Sequence, residues 1–208
     1  MEDMAYRSLV YAHLLLFVLW LGGDVGVFVL GQHFRKRQSY SLDQRLALLK
    51  LLVAVDMGPR TAWALMVPLS LSVATAGGWI ALPAWLVIVA WGAGLAWLLL
   101  VWDSHIHDQT PRAARNRRIE AWIKYAITGF YLWLGAASLL TGAPIAMPWL
   151  AWKALLFGLI FIAAILIDLA FKPVGPQLGR LIAEGSSGAP EIPFRRTPDG
   201  TTILVLLF

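Results

Sequence analysis

Residues Ser8 to Gly31 read SLVYAHLLLFVLWLGGDVGVFVLG, an apolar run interrupted by one histidine, His13, and one carboxylate, Asp24. Roughly 20 apolar residues cover the hydrocarbon core of a bilayer at about 1.5 Å per residue, so this stretch predicts a membrane-spanning helix. At about 100° per residue, His13, Trp20 and Asp24 fall on a single line along that helix. Ionisable groups at membrane depth are costly unless they face protein, water or a cofactor, so this face is expected to point inward. Beside it, Gly22 and Gly26 form a small-xxx-small pair, expected to admit a second helix at close range. The first helix is therefore predicted to be a core element of a bundle.

The rest of the chain has the same character. Of its 208 residues 59% are hydrophobic and only 14% charged, and mean hydropathy is +0.69, which excludes an ordinary soluble domain and predicts an all-α transmembrane bundle. Cysteine is absent, which excludes disulfides, thiolate metal sites, iron–sulfur ligation and covalent c-type haem attachment. The net charge of +5 does not point to nucleic acid, because the basic residues lie between apolar spans, where the positive-inside rule accounts for them. The opening MEDMAYR is acidic, with no basic n-region, so the first helix is expected to be retained.

After the first span, Arg35, Lys36, Arg37, Arg45 and Lys50 mark a cytoplasmic connection. Leu42 to Val55 then spaces leucines at i, i+3 and i+4 beside Arg45 and Lys50, predicting an interfacial amphipathic helix. It is expected to break or kink at Asp56-Met57-Gly58-Pro59-Arg60. Further spans are predicted over about Thr61 to Gly77, Ala84 to Trp102, Ala121 to Leu140 and Trp149 to Phe171. The connections GGWIALP and TGAPIAMP are uncharged, whereas TPRAARNRR is strongly basic. This alternation predicts five spans, with the N-terminus outside and the C-terminus cytoplasmic, in the bacterial inner membrane. Trp79, Trp85, Trp102, Trp122 and Trp149 suit the interfacial belts. Residues 1–171 are thus read as the bundle and 172–208 as a cytoplasmic tail. Its apolar end, Ile203 to Phe208, is expected to pack on the bundle, a second copy or a redox partner.

Two constellations stand out. His13 and Lys153 both project about 6 to 8 Å below the outer face, a shared depth that permits a shared site. Imidazole is a common axial ligand of haem iron, and a neutral lysine amine can serve as a sixth ligand. The plainer alternative has His13 hydrogen-bonded to a neighbouring helix and Lys153 snorkelling to the headgroups. Deeper in the membrane, Asp24, Arg60, Lys124 and Asp168 share the inner third. Buried charges must be paired, so Asp24 or Asp168 is expected to bridge to Arg60 or Lys124, as a pin between helices or as part of a proton route. Met66, near mid-membrane, is a candidate soft ligand or a packing residue. His105 and His107, at i, i+2, face opposite sides of a helix and read as solvated, and His33 reads as headgroup-facing.

The run His13-Leu14-Leu15-Leu16-Phe17-Val18-Leu19-Trp20-Leu21-Gly22-Gly23 resembles the first helix of the copper-resistance D family and of the HemJ-type protoporphyrinogen oxidases, with their H-x6-W-x-[AG]-G pattern. Pro148 to Phe157 is similar to the lysine-containing helix of the same superfamily. Together the two matches cover about a quarter of the chain. The resemblance implies a helical bundle with a site between the first helix and the Lys153 helix. In one family that site is associated with b-type haem and redox chemistry, in the other with copper passage. Ala151 stands where the haem-binding pattern has a histidine. Three functions follow as expectations: a haem b protein for electron transfer, a copper transporter, and a cofactor-free anchor or assembly subunit. Cofactor contacts would come from His13, Lys153, Trp20 and Met66, with His13 and Lys153 on the metal.

Overall fold

The computed structural model describes residues 2–34, 36 and 39–171, and all regular structure among them is helical. The helices are α1 (Glu2–Phe34), α2 (Leu42–Ala76), α3 (Ala84–Ile106), α4 (Pro111–Thr141) and α5 (Pro148–Phe171). Their boundaries follow local chemistry. Ser41 caps α2 with a reciprocal capping box, its hydroxyl accepting from the Gln44 amide and its own amide donating to the Gln44 side chain. Thr110 caps α4 and Pro111 occupies its first position, where a missing N–H costs nothing. Gly142 closes α4 at φ 72°, the left-handed conformation that glycine adopts without strain. The tail 172–208, and with it the expected docking of Ile203 to Phe208, lies outside the described residues.

Consecutive helices pack on one another in an antiparallel series. At one end Tyr6 meets Trp79, which in turn meets Trp149, joining α1, the α2–α3 turn and α5. At the opposite, basic end, Arg45 donates from Nε to the Phe34 carbonyl at 2.8 Å and lies over the Phe34 ring. A cation on the last carbonyls of α1 satisfies a group the helix cannot, and complements its dipole.

Four helices, all but α2, are long and apolar enough to cross a membrane. Large apolar side chains cover much of the surface, Leu14, Leu15, Val18, Leu21 and Val25 on α1 among them. Such a surface is stable only in lipid, and the chain is read as an integral membrane protein. In α2, Arg60, two prolines and several hydroxyl residues dilute the hydropathy.

Three expectations are corrected. The interfacial helix at Leu42 to Val55 is not a separate element: α2 runs unbroken from Leu42 to Ala76 through both Pro59 and Pro68. Each proline ring is received by a glycine on a neighbouring helix, Pro59 by Gly23 of α1 and Pro68 by Gly94 of α3. A Cβ on Gly94 would come within 2.8 Å of the Ala64 carbonyl, the group that Pro68 deprives of its i+4 donor. Tertiary packing thus holds the helix together where local rules predict an interruption. Second, the α1–α2 contact uses Gly23 and Gly26 rather than Gly22 and Gly26: Gly22 has nothing within 4 Å of its Cβ position. Third, most of the basic stretch TPRAARNRR is not loop but the first turns of α4. Its arginines sit at the positive end of a helix dipole, and Asp103 and Asp108 offset them through ion pairs to Arg112 and Arg117.

The α4–α5 crossing is reciprocal: Gly135 receives Leu155 of α5, and Gly158 receives Leu132 of α4. Between the helices lies a core of Met57, Ala64, Trp97, Val101 and Phe161.

Candidate functional site

Tyr6, His13 and Trp20 follow one another at intervals of seven on α1, so a near-straight stripe faces the bundle. Tyr6 ends on the Trp79–Trp149 pair. Trp20 meets Trp63 of α2 edge-on at 5.0 Å between centroids, and Trp63 meets Phe161 of α5 at 4.1 Å. Phe157 joins the cluster and passes it to Tyr131 of α4 at 4.8 Å. An aromatic bridge therefore crosses from α1 through α2 to α5 and α4. The facing stripe on α5 runs Trp149, Lys153, Phe157, Phe161 at intervals of four.

His13 lies between the two aromatic groups. It is half-buried, and its Nδ1 is sealed from solvent with no hydrogen-bond partner. Trp20 Nε1, Trp97 Nε1 and Thr75 Oγ1 share that condition. A buried imidazole nitrogen normally finds a partner, because desolvating it without one costs about 1–3 kcal/mol. Nδ1 thus makes no hydrogen bond to a neighbouring helix. Lys153 is close enough for its charge to act on the imidazole. Its own side chain is exposed, with Nζ 5.2 Å from the centre of the Trp149 ring, a cation–π contact. The structure thus brings His13 and Lys153 into one neighbourhood on helices that are not principal packing partners. Met66 is buried on α2, three positions beyond Trp63.

Among the described residues the deeper cations gather on a carboxylate other than Asp24, while the expected pairing through Asp168 lies outside the described side chains. Arg60 pairs with Asp56 one turn before it and reaches Glu120 of α4 at 3.9 Å. Lys124 pairs with the same Glu120 at 3.2 Å, and the Glu120 side chain is only 6% exposed. Among the described residues the anion common to both cations is Glu120, one position ahead of the span expected at Ala121 to Leu140. One signal could have found it, the Glu-x-x-x-Lys spacing to Lys124, which pairs side chains on one helix face. Asp24 forms no ion pair among the described residues. It lies near enough to Asp56 for the two carboxylates to repel, and the Trp20 indole is its polar neighbour on α1. Asp168 is on α5, and its side chain lies outside what the structure describes.

The remaining histidines have local partners. His33 shares a 2.7 Å hydrogen bond with the Tyr40 hydroxyl and closes the α1–α2 turn. His107 sits 3.1 Å from Asp103, and His105 packs edge-on against Trp102. No group of three or more His, Cys, Asp or Glu able to hold a metal ion occurs among the described residues. Compared with known proteins, the chain matches no family model, no curated protein and no solved structure.

Proposed function

We propose that this membrane protein holds a b-type haem between α1 and α5 and passes electrons, alone or as a subunit of a membrane redox complex. The observation that carries the reading is His13: a sealed ring nitrogen without a hydrogen-bond partner, within electrostatic reach of Lys153 and two turns along α1 from Trp20, which packs on Trp63. A neutral imidazole suits haem iron, and indole and phenyl faces suit a flat apolar macrocycle. The donor set therefore fits the group through His13, and Lys153 would join it only by leaving the Trp149 ring. Once bound, haem would supply one-electron redox chemistry, with a potential set by its axial ligands and the dielectric around it.

The chain's own residues have defined tasks in this reading. His13 holds the iron, and α2 fixes the α1 face through the Gly23–Pro59 contact. Trp20, Trp63, Phe157 and Phe161 exclude water and line an apolar wall. All five helices cross the membrane in this proposal, with the N-terminus outside, because Arg45, Arg112 and Arg117 gather at a single end.

The test is the visible spectrum of the purified, dithionite-reduced protein. Reduced haem bands are expected in the wild type, lost in His13→Ala, and shifted but retained in Lys153→Met. Full haem occupancy in His13→Ala would overturn the assignment.

A further inference from the structure

We propose that the open cleft between α3 and α4 at the basic end binds the headgroup of an anionic phospholipid. The cleft has a volume of about 520 Å³. Its α3 wall is apolar, made by Ala96, Leu99 and Leu100, and Leu99 is 71% exposed. Its α4 wall carries Arg112 and Arg115. The floor is a fixed polar network: Asp103 accepts from Arg112 at 2.7 Å and from the buried Asn116 at 2.6 Å.

The charge balance selects the ligand. Asp103 is neutralised by Arg112, which leaves Arg115 as surplus, since Arg115 makes no ion pair among the described residues. One cation beside an exposed leucine wall complements a phosphate diester whose acyl chains continue along the protein. A free phosphate would engage Arg115 and leave Leu99 uncovered. The smaller cleft nearby, about 240 Å³ and lined by Arg60, Arg117, Glu120 and Lys124, has no such surplus, because each of its cations meets a carboxylate.

Depth agrees. At 1.5 Å per residue Asp103 lies about 28 Å along α3 from Ala84, close to the roughly 30 Å thickness of a hydrocarbon core. The cleft mouth is thus at headgroup level, with Leu99 about one turn inside the hydrocarbon.

The full chain in detergent is titrated with phosphatidylglycerol and with phosphatidylcholine of the same acyl chains, and bound lipid is counted by native mass spectrometry. Phosphatidylglycerol is expected to bind about tenfold more tightly, the scale of one hydrogen-bonded charge contact. Arg115→Gln should bring that ratio close to one, Arg115→Lys should keep most of it, and Arg118→Gln, which alters an exposed arginine outside the cleft, should leave it intact. Equal binding of the two lipids, or equal losses in Arg115→Gln and Arg118→Gln, would overturn the site in favour of a diffuse positive surface. Inorganic phosphate at the same concentration should not protect the protein against thermal unfolding. If it protects as well as phosphatidylglycerol does, the lipid assignment fails.

Discussion

Gly23 of α1 lies directly against the ring of Pro59 of α2, so closely that a Cβ on the glycine would collide with the proline Cγ and Cδ. The contact explains how a proline sits in the middle of α2 without ending it: the bend-prone segment is clamped by a helix that comes to backbone distance.

Gly23→Ala is therefore expected to destabilise the bundle by about 1–3 kcal/mol, the cost of forcing a methyl group into a packed contact. Gly22→Ala, one residue away in open space, should change stability by no more than about 0.5 kcal/mol. Thermal melts of both variants in detergent decide the point. Equal melting temperatures for the two would show that α1 and α2 can separate at this level without loss.

Glu120 is the buried anion common to Arg60 and Lys124. Replacing it by Gln removes the charge while keeping the shape, and should cost about 3 kcal/mol, as expected when one member of a buried ion pair is removed. Asp24→Asn should cost under about 1 kcal/mol, since Asp24 pairs with no cation among the described residues and faces Asp56. A larger loss in Asp24→Asn than in Glu120→Gln, read from chemical unfolding, would reverse this ranking.

Asp108, in the α3–α4 turn, supplies a pH-dependent increment. Burial alone pushes its carboxyl upward, but the Arg117 hydrogen bond and charge, with two hydrogen bonds from Gln109, outweigh that and hold it below the usual carboxylate range. The unfolded chain therefore binds this proton more readily than the folded one. The stabilisation is complete above the usual carboxylate range and is lost as pH falls through that range toward the depressed folded value. Both side chains are about half exposed, so the increment is about 0.5 kcal/mol at pH 7. Melting temperatures of wild type and Asp108→Asn should differ at pH 7, and the gap should shrink steadily as pH falls through and below the usual carboxylate range. A gap that stays constant with pH would trace to the turn geometry instead.

Reporter fusions test the orientation. A cytoplasmic reporter should be active when inserted between Lys36 and Tyr40 or after His107, and a periplasmic one after Trp79 or Ala146. Activity of the periplasmic reporter after His107 would invert the bundle or remove one crossing.

Much of this architecture is legible from residue order alone, because hydropathy and helical period are local properties. The apolar runs and the uncharged and basic connections place the starts of α3 and α5 to within one residue, whereas α1 and α4 run further than their apolar runs, α4 through its basic first turns. The 100° rotation also puts Trp20 and Asp24 on one face, and there the structure has Trp20 against Trp63 and Asp24 near Asp56, both of α2. What the residue order could not decide is which surfaces meet. Gly22 and Gly23 are chemically identical, and only the crossing of α1 on α2 makes one of them indispensable. Pro59 breaks an isolated helix, yet α2 is not isolated, and Gly23 and Gly94 supply the contacts that keep it continuous. Glu120 follows four arginines in the sequence, Arg112, Arg115, Arg117 and Arg118, and nothing local to it marks it for burial. It becomes a buried counter-ion because α4 extends past the basic stretch and turns this residue toward Arg60. Propensity and polarity are set residue by residue, whereas pairing depends on rotation and register between helices distant in sequence, which only the packed structure determines.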